Sequence, residues 1–179
     1  VDLQSLAAGL RRITVALTVD GHAIGSGVLW APDRVVTNAH VVQRPRLRIR
    51  RADGEPADAH VVAVDRHADL ALLDVPGLGG PAVTVAPADA LRVGALVVAV
   101  GHPFGVRGAL TTGIVHAMGP LRPGGRPWIQ ADLRLAPGNS GGPLADAGGR
   151  VVGVNAMIAG GLALAIPAAE VGRFVRAAG

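Results

Sequence analysis

Short β-rich segments, cut repeatedly by Gly, Pro and Asp, constrain this chain of 179 residues to an all-β fold. One set comprises Ile13–Val19, Gly25–Trp30, Arg34–Thr37, Arg46–Arg50, Ala59–Asp65 and Leu70–Val75. A second comprises Leu96–Gly101, Ala109–Ala117, Trp128–Ala131, Pro143–Ala145, Val151–Ala156 and Ala163–Ile166. Many short strands between turn signals suit a sandwich or barrels, and periodicity does not choose between them. The stretch Pro76–Pro81 and the loop up to Arg92 divide the sets, so a single domain over 1–179 is expected, with one lobe at 1–85 and another at 86–179. Pro167 opens a segment with Glu170 early and Arg173 and Arg176 late, the charge order of a short C-terminal helix. Pro120–Pro127, rich in Gly, Pro and Arg, reads as an exposed loop.

Every one of the 17 basic residues is arginine and the net charge is +4, a balance that invites a nucleic-acid reading. The densest run argues against it. Arg44, Arg46, Arg48 and Arg50 alternate with Leu47 and Ile49, which puts arginines on the solvent face of a strand and aliphatics on the inner face. Only four aromatic residues are present for base stacking, so no specific nucleic-acid partner is expected. No apolar run approaches the roughly 18 residues of a membrane span. Cysteine is absent, which removes disulfides and thiol chemistry. His60 and His67, seven apart and without cysteine, make a poor metal site, and no metal or other cofactor is expected. The first residue is Val1 rather than Met, as in a processed or trimmed form.

The chemistry concentrates at Ala136-Pro137-Gly138-Asn139-Ser140-Gly141-Gly142-Pro143, where glycines leave backbone N–H groups unobstructed beside a serine hydroxyl. That pairs a nucleophile with an oxyanion site. A serine hydroxyl needs a base to take its proton and a third group to orient the base. His40 ends the apolar stretch after Thr37-Asn38-Ala39, and Asp69 opens Leu70–Leu73, with Asp65 and Asp74 as competing carboxylates in turn-like settings. Gly138-x-Ser140-x-Gly142 also fits the nucleophile elbow of α/β-hydrolases, whose histidine follows the serine. Here all six histidines precede Ser140, which leaves such a fold without its base.

The order His40, Asp69, Ser140 is that of chymotrypsin-like serine proteases. Gly25-Ser26-Gly27-Val28, Thr37-Asn38-Ala39-His40, Asp69-Leu70-Ala71, Gly101-His102-Pro103-Phe104-Gly105, Thr112-Gly113-Ile114-Val115, Ile129-Gln130-Ala131-Asp132, Pro137–Leu144 and Leu164-Ala165-Ile166-Pro167 resemble the HtrA/Deg branch of that superfamily over nearly the whole chain. The resemblance implies two antiparallel six-stranded β-barrels with a cleft between them. It implies a serine endopeptidase with His40, Asp69 and Ser140 as triad, and Gly138, Asn139 and Ser140 as oxyanion backbone. Leu135, Met157, Ile158 and Ala159 would frame an apolar pocket for an aliphatic residue before the scissile bond. Polypeptide substrates, no cofactor, a homo-oligomer (a trimer in the family) and a periplasmic or other extracytoplasmic location belong to the same implication.

Arg134 stands six residues before Ser140, where trypsin-like enzymes read charged substrates. Alternation puts it on one face with Asp132, and an outward, paired arginine is expected, with an inward arginine reading acidic side chains as the alternative. Asn139 carries no charge to pair with a newly cut N-terminus, so activation through such a salt bridge is not expected. No PDZ domain has room after Gly179, as in an excised protease domain or a protease-only relative. His102 occupies a position where the related motif commonly has asparagine. A chaperone or scaffold of the same fold, with a collapsed oxyanion site, is the rival reading.

Overall fold

The computed structural model describes residues 1–179. Helix α1 (Leu3–Ile13) leads into β1 (Thr14–Val19), β2 (His22–Ala31), β3 (Arg34–Thr37), β4 (Arg46–Arg50), β5 (Pro56–Asp65) and β6 (Leu70–Asp74). These strands close a barrel in the spatial order β1-β2-β3-β6-β5-β4. A second closed barrel, ordered β10-β11-β12-β9-β8-β7, uses β7 (Leu96–Gly101), β8 (Ala109–Pro120), β9 (Pro127–Asp132), β10 (Pro143–Asp146), β11 (Val151–Ala159) and β12 (Leu162–Pro167). All pairings between these strands are antiparallel. Closure rather than a two-sheet sandwich is therefore the architecture, and it leaves neither sheet with a full-length open edge.

Alternation decides what each strand buries. In β4, Leu47 and Ile49 point inward while Arg46 and Arg48 are exposed, and Arg48 pairs with Asp58 on β5 at 3.2 Å. The arginine run is thus a solvated strand face. Inside the first barrel, Leu17, Val28, Val35, Ile49, Leu70 and Leu72 are fully or almost fully buried. The C-terminal helix α2 (Ala168–Ala178) buries Ala168 and Val171 and touches β5 and β6 of the first barrel as well as β11 and β12 of the second. It therefore ties the barrels together. No helix is long and apolar enough to cross a membrane.

Helix α1 was not expected from the strand pattern. Its signals are local: Asp2 caps it by accepting from the N–H groups of Gln4 and Ser5, Ala7, Leu10 and Ile13 share a buried face, and Arg11 and Arg12 close the last turn. Strands β2, β8 and β11 also run past the expected Gly25 start and the Ala117 and Ala156 ends. Hairpin pairs such as Val19 with His22, Pro120 with Pro127 and Ala159 with Leu162 continue the ladders past those bounds. Ladder hydrogen bonds satisfy the backbone whatever the side chains are. The residues between Pro120 and Pro127 are a surface loop, as expected.

Leu72 on β6 faces Val36 and Ala63 on its neighbours and is 1% exposed. Leu72→Ala should destabilise the chain by roughly 2–5 kcal/mol in denaturant melts. Arg48→Ala, on the outer face, should stay within about 0.5 kcal/mol.

Candidate active site

Asp69 sits in the turn before β6 with φ +56°, a left-handed conformation that aspartate tolerates better than most residues. The Nδ2 of buried Asn38 donates to the Asp69 backbone carbonyl at 3.0 Å and holds this turn. Its carboxylate reaches the loop after β3: Oδ1 accepts the His40 N–H at 3.0 Å, and His40 Nδ1 donates to Oδ2 at 2.8 Å. The competing carboxylates are engaged elsewhere. Asp65 accepts the Ala68 N–H at 2.9 Å, and Asp74 pairs with Arg34 at 3.4 Å. With Nδ1 as donor, His40 Nε2 keeps its lone pair. The hydrogen bond that His40 donates to Asp69 is the main reason that the His40 pKa is raised above 6.5, opposed by desolvation and aided by the negative charge of Asp69.

Ser140 lies on the turn before β10. His40 and Ser140 line one cavity of about 260 Å³ together with Leu135, Ala156, Met157 and Ile158. The Ser140 hydroxyl donates to the Ala156 carbonyl at 3.0 Å and makes no hydrogen bond to His40. Such a bond needs a rotation of the serine side chain. Ala159, expected in the pocket, is not among its lining residues and packs against the core instead. Arg134 is exposed and outside the cavity, and no ion pair joins it to Asp132.

The turn around Ser140 is held from three sides. Gly138 and Gly141 adopt φ +104° and +90°. A Cβ at Gly138 would lie 2.3 Å from the His102 carbonyl oxygen, and one at Gly141 would lie 2.0 Å from the Ser26 carbonyl oxygen, so only glycine fits either place. The Pro137 carbonyl accepts the Phe104 N–H at 3.0 Å. Because N–H and C=O of a trans peptide point in opposite directions, this bond directs the Gly138 N–H the other way. Asn139 N–H donates to the Ala136 carbonyl at 3.0 Å. The N–H groups of Gly138 and Ser140 have no acceptor within the chain. The two N–H groups expected as donors at an oxyanion site, those of Gly138 and Ser140, are therefore free, and that of Asn139, which lies in the backbone between them, is occupied.

Ser26 is the residue whose role sequence reasoning missed. Fully buried on β2, it donates its backbone N–H to the Ser140 carbonyl at 2.9 Å, and its own carbonyl accepts from Thr37 Oγ1 at 2.7 Å. Its Oγ donates to the Gly138 carbonyl at 2.6 Å and accepts the His102 N–H at 3.0 Å. Asn155 completes the support, with Gly141 N–H on its carbonyl at 2.8 Å and its Nδ2 on the Gly142 and Pro143 carbonyls. A polar residue between two glycines inside a strand was the available signal for Ser26. Nothing in the spacing singled out Asn155. Ser26→Ala leaves the His102 N–H and the Gly138 carbonyl without their best partner. It should cost roughly 1–3 kcal/mol in denaturant melts and speed amide exchange at Asn139 and Gly142, whose N–H bonds hold the turn.

The chain is similar to known proteins in sequence and in fold. Residues 25–154 match the trypsin-like peptidase domain family. The chain is 38% identical over 164 residues to Serine protease HTRA1 of Xenopus laevis, covering 86% of this chain and 36% of that protein. It is 41% identical over 143 residues to a probable periplasmic serine endoprotease, DegP-like, of Ectopseudomonas mendocina (strain ymp), covering 78% of this chain and 30% of the relative. It thus spans about a third of the length of these relatives. Among solved structures, the HtrA-type protease AlgW with decapeptide superposes with a TM-score of 0.90 at 26% identity, covering 99% of this chain and 67% of that one. Fold, motif order and sequence identity together show that the chain belongs to the trypsin-like peptidase domain family, on its HtrA/Deg branch.

Proposed function

We propose that this chain is the catalytic domain of a serine endopeptidase, with His40, Asp69 and Ser140 as its triad and the N–H groups of Gly138 and Ser140 as its oxyanion donors. The observation that carries this reading is the His40 to Asp69 hydrogen bond at 2.8 Å on a cavity that Ser140 shares. In the reaction, Ser140 turns from Ala156, and its Oγ attacks the substrate carbonyl as His40 Nε2 takes its proton. The tetrahedral oxyanion accepts from Gly138 and Ser140. His40 then protonates the departing amine, leaving an acyl-enzyme that water, activated by the same histidine, hydrolyses. Asp69 keeps the His40 ring in the tautomer that this exchange requires. Asn139, buried and uncharged, offers no countercharge for a salt bridge with a terminal ammonium.

The substrate is a polypeptide. Past Val154, β11 has β12 on one side and no strand of β10 on the other, so Met157 and Ile158 offer a free edge to which an extended peptide adds as a strand. Leu135, Met157 and Ile158 make the neighbouring pocket apolar and favour an aliphatic residue before the cut. Unfolded chains expose such residues and native ones bury them, which makes misfolded or flexible proteins the natural substrates. The names of the bacterial relatives favour an extracytoplasmic place of action.

One observation favours a second reading, a resting or silent scaffold of the same fold: the Ser140 hydroxyl is bonded to Ala156 rather than to His40. Fluorophosphonate labelling separates the two. Rapid modification of Ser140, abolished in Ser140→Ala, is the expected result, and an unreactive wild-type chain favours the scaffold.

Asp69→Asn should lower turnover by about 10⁴-fold, while Asp65→Asn and Asp74→Asn should not. Because His40 must be neutral to act as a base and Asp69 raises its pKa, kcat/KM should rise with pH through an apparent pKa above 6.5. That limb should move down in Asp69→Asn. In a peptide-library profile, Val, Leu, Ile or Ala before the cut should exceed poorly fitting residues by roughly 10–200-fold. Arg134→Ala should leave the profile unchanged.

A further inference from the structure

A second cavity of about 310 Å³, which shares no lining residue with the proposed catalytic cavity, is lined by Arg11, Thr14, Ala52, His102, Arg107 and Gly108. Two guanidinium groups face it and no carboxylate does. Six arginines elsewhere pair with acids, as Arg34 does with Asp74, Arg48 with Asp58 and Arg150 with Asp146, so what distinguishes Arg11 and Arg107 is that they share one cavity. Arg107 has neither a hydrogen bond nor an ion pair within the chain. Arg11 uses only its Nε, which donates to the Gly108 carbonyl at 2.8 Å and leaves its terminal nitrogens free.

His102 supplies the second observation. It is 5% exposed, its Nδ1 accepts the Gly108 N–H at 3.1 Å, and its Nε2 is buried without any partner. An Nδ1 that accepts places the ring proton on Nε2. Burial and the nearby Arg107 charge hold the ring neutral, with its pKa lowered to about 4. A buried donor without an acceptor is rare in folded proteins, and a group from outside the chain is one way to complete the bond. Two fixed positive charges beside that ring select an anion, and guanidinium groups select oxygen anions that accept in pairs.

We propose that this cavity binds the oxyanion of a small ligand, a phosphoryl or carboxylate group, between Arg11, Arg107 and His102. The ligand would brace the segment His102–Gly108. Gly108 is already gripped on both sides, its N–H by His102 and its carbonyl by Arg11. The same segment sends Phe104 N–H to the Pro137 carbonyl and His102 N–H to Ser26 Oγ, so the bracing extends to the turn that carries Ser140. Neither the site nor its effect on the backbone depends on what Ser140 does chemically.

The test is calorimetric titration of the full chain with inorganic phosphate, and in parallel with acetate, at an ionic strength held constant with chloride. Saturable phosphate binding weakened about tenfold or more by Arg107→Ala and by His102→Asn, but not by Arg12→Ala on the same helix, is the expected result. Arg107 makes no bond within the chain, so its variant keeps the fold. Acetate competing for the site assigns it to carboxylates as well, whereas phosphate alone assigns it to phosphoryl groups. At saturation, amide exchange at Phe104 and Gly108 should slow, and the His102 Nε2 resonance should shift. Heats no greater than the chloride control, or phosphate binding unchanged in both Arg107→Ala and His102→Asn, would overturn the site. Unchanged exchange at Phe104 and Gly108 in the phosphate-saturated chain would overturn the bracing.

Discussion

Ser26, a single buried residue with four hydrogen bonds, brings the two barrels into one chemical unit through the three that cross between them. Its backbone faces Thr37 on β3 and Ser140 on the turn before β10, while its hydroxyl links Gly138 to His102. Each of those partners is itself placed by another element. Thr37 ends the strand that leads to His40, and His102 follows β7. Residues contributed by separate barrels thereby share one polar network, and the low local dielectric makes each of its bonds more demanding of geometry than it would be in water. The close approaches at Gly138 and Gly141 follow from this contact. The backbone of the Ser140 turn lies against Ser26 and His102 with no space for a side chain.

Within that frame, each half of the proposed catalytic site shows a different degree of readiness. His40 and Asp69 are already hydrogen-bonded, and Asn38 fixes the backbone of the aspartate from behind. The Gly138 and Ser140 N–H groups lack acceptors, as donors awaiting an oxyanion would. Only the Ser140 hydroxyl is turned aside, toward Ala156. Rotation about one side-chain bond is a small adjustment beside the backbone geometry already in place, and catalytic hydrogen bonds commonly tighten only when substrate arrives.

The loop from Gly101 to Gly108 serves two faces of the molecule. On one it holds the Pro137 and Gly138 peptides, and on the other it forms a wall of the Arg11 and Arg107 cavity. His102 belongs to both, with its backbone N–H on Ser26 and its ring on Gly108. Asparagine at this position could keep the backbone bonds, but it has a different reach and a different set of donors from an imidazole. The histidine therefore acquires a physical account that its place in the motif did not supply.

Much of the architecture was legible in the sequence because strands advertise themselves locally. The alternation in Arg46–Arg50 sets which face is inside, Gly and Pro mark where strands stop, and Pro167, Glu170 and Arg176 signal the terminal helix. Helix α1 was legible too, in the spacing of Ala7, Leu10 and Ile13, but no proline opens it and no acid lies in its first turn, the marks that revealed the equally long α2. Choosing His40, Asp69 and Ser140 as candidates rested on motif chemistry, chain order and the family resemblance of the segments around them. Separation in sequence hid the rest. That Asp65 and Asp74 are engaged elsewhere, that Ser26 lies against the Ser140 turn, that the Ser140 hydroxyl meets Ala156, and that Arg11 and Arg107 share a cavity are consequences of barrel closure and docking. Sequence by itself determined the element types and the candidate chemistry, since those depend on near neighbours along the chain. Tertiary structure alone decided which polar groups meet, because hydrogen bonds act over about 3 Å and no local pattern records which distant backbone will come that close.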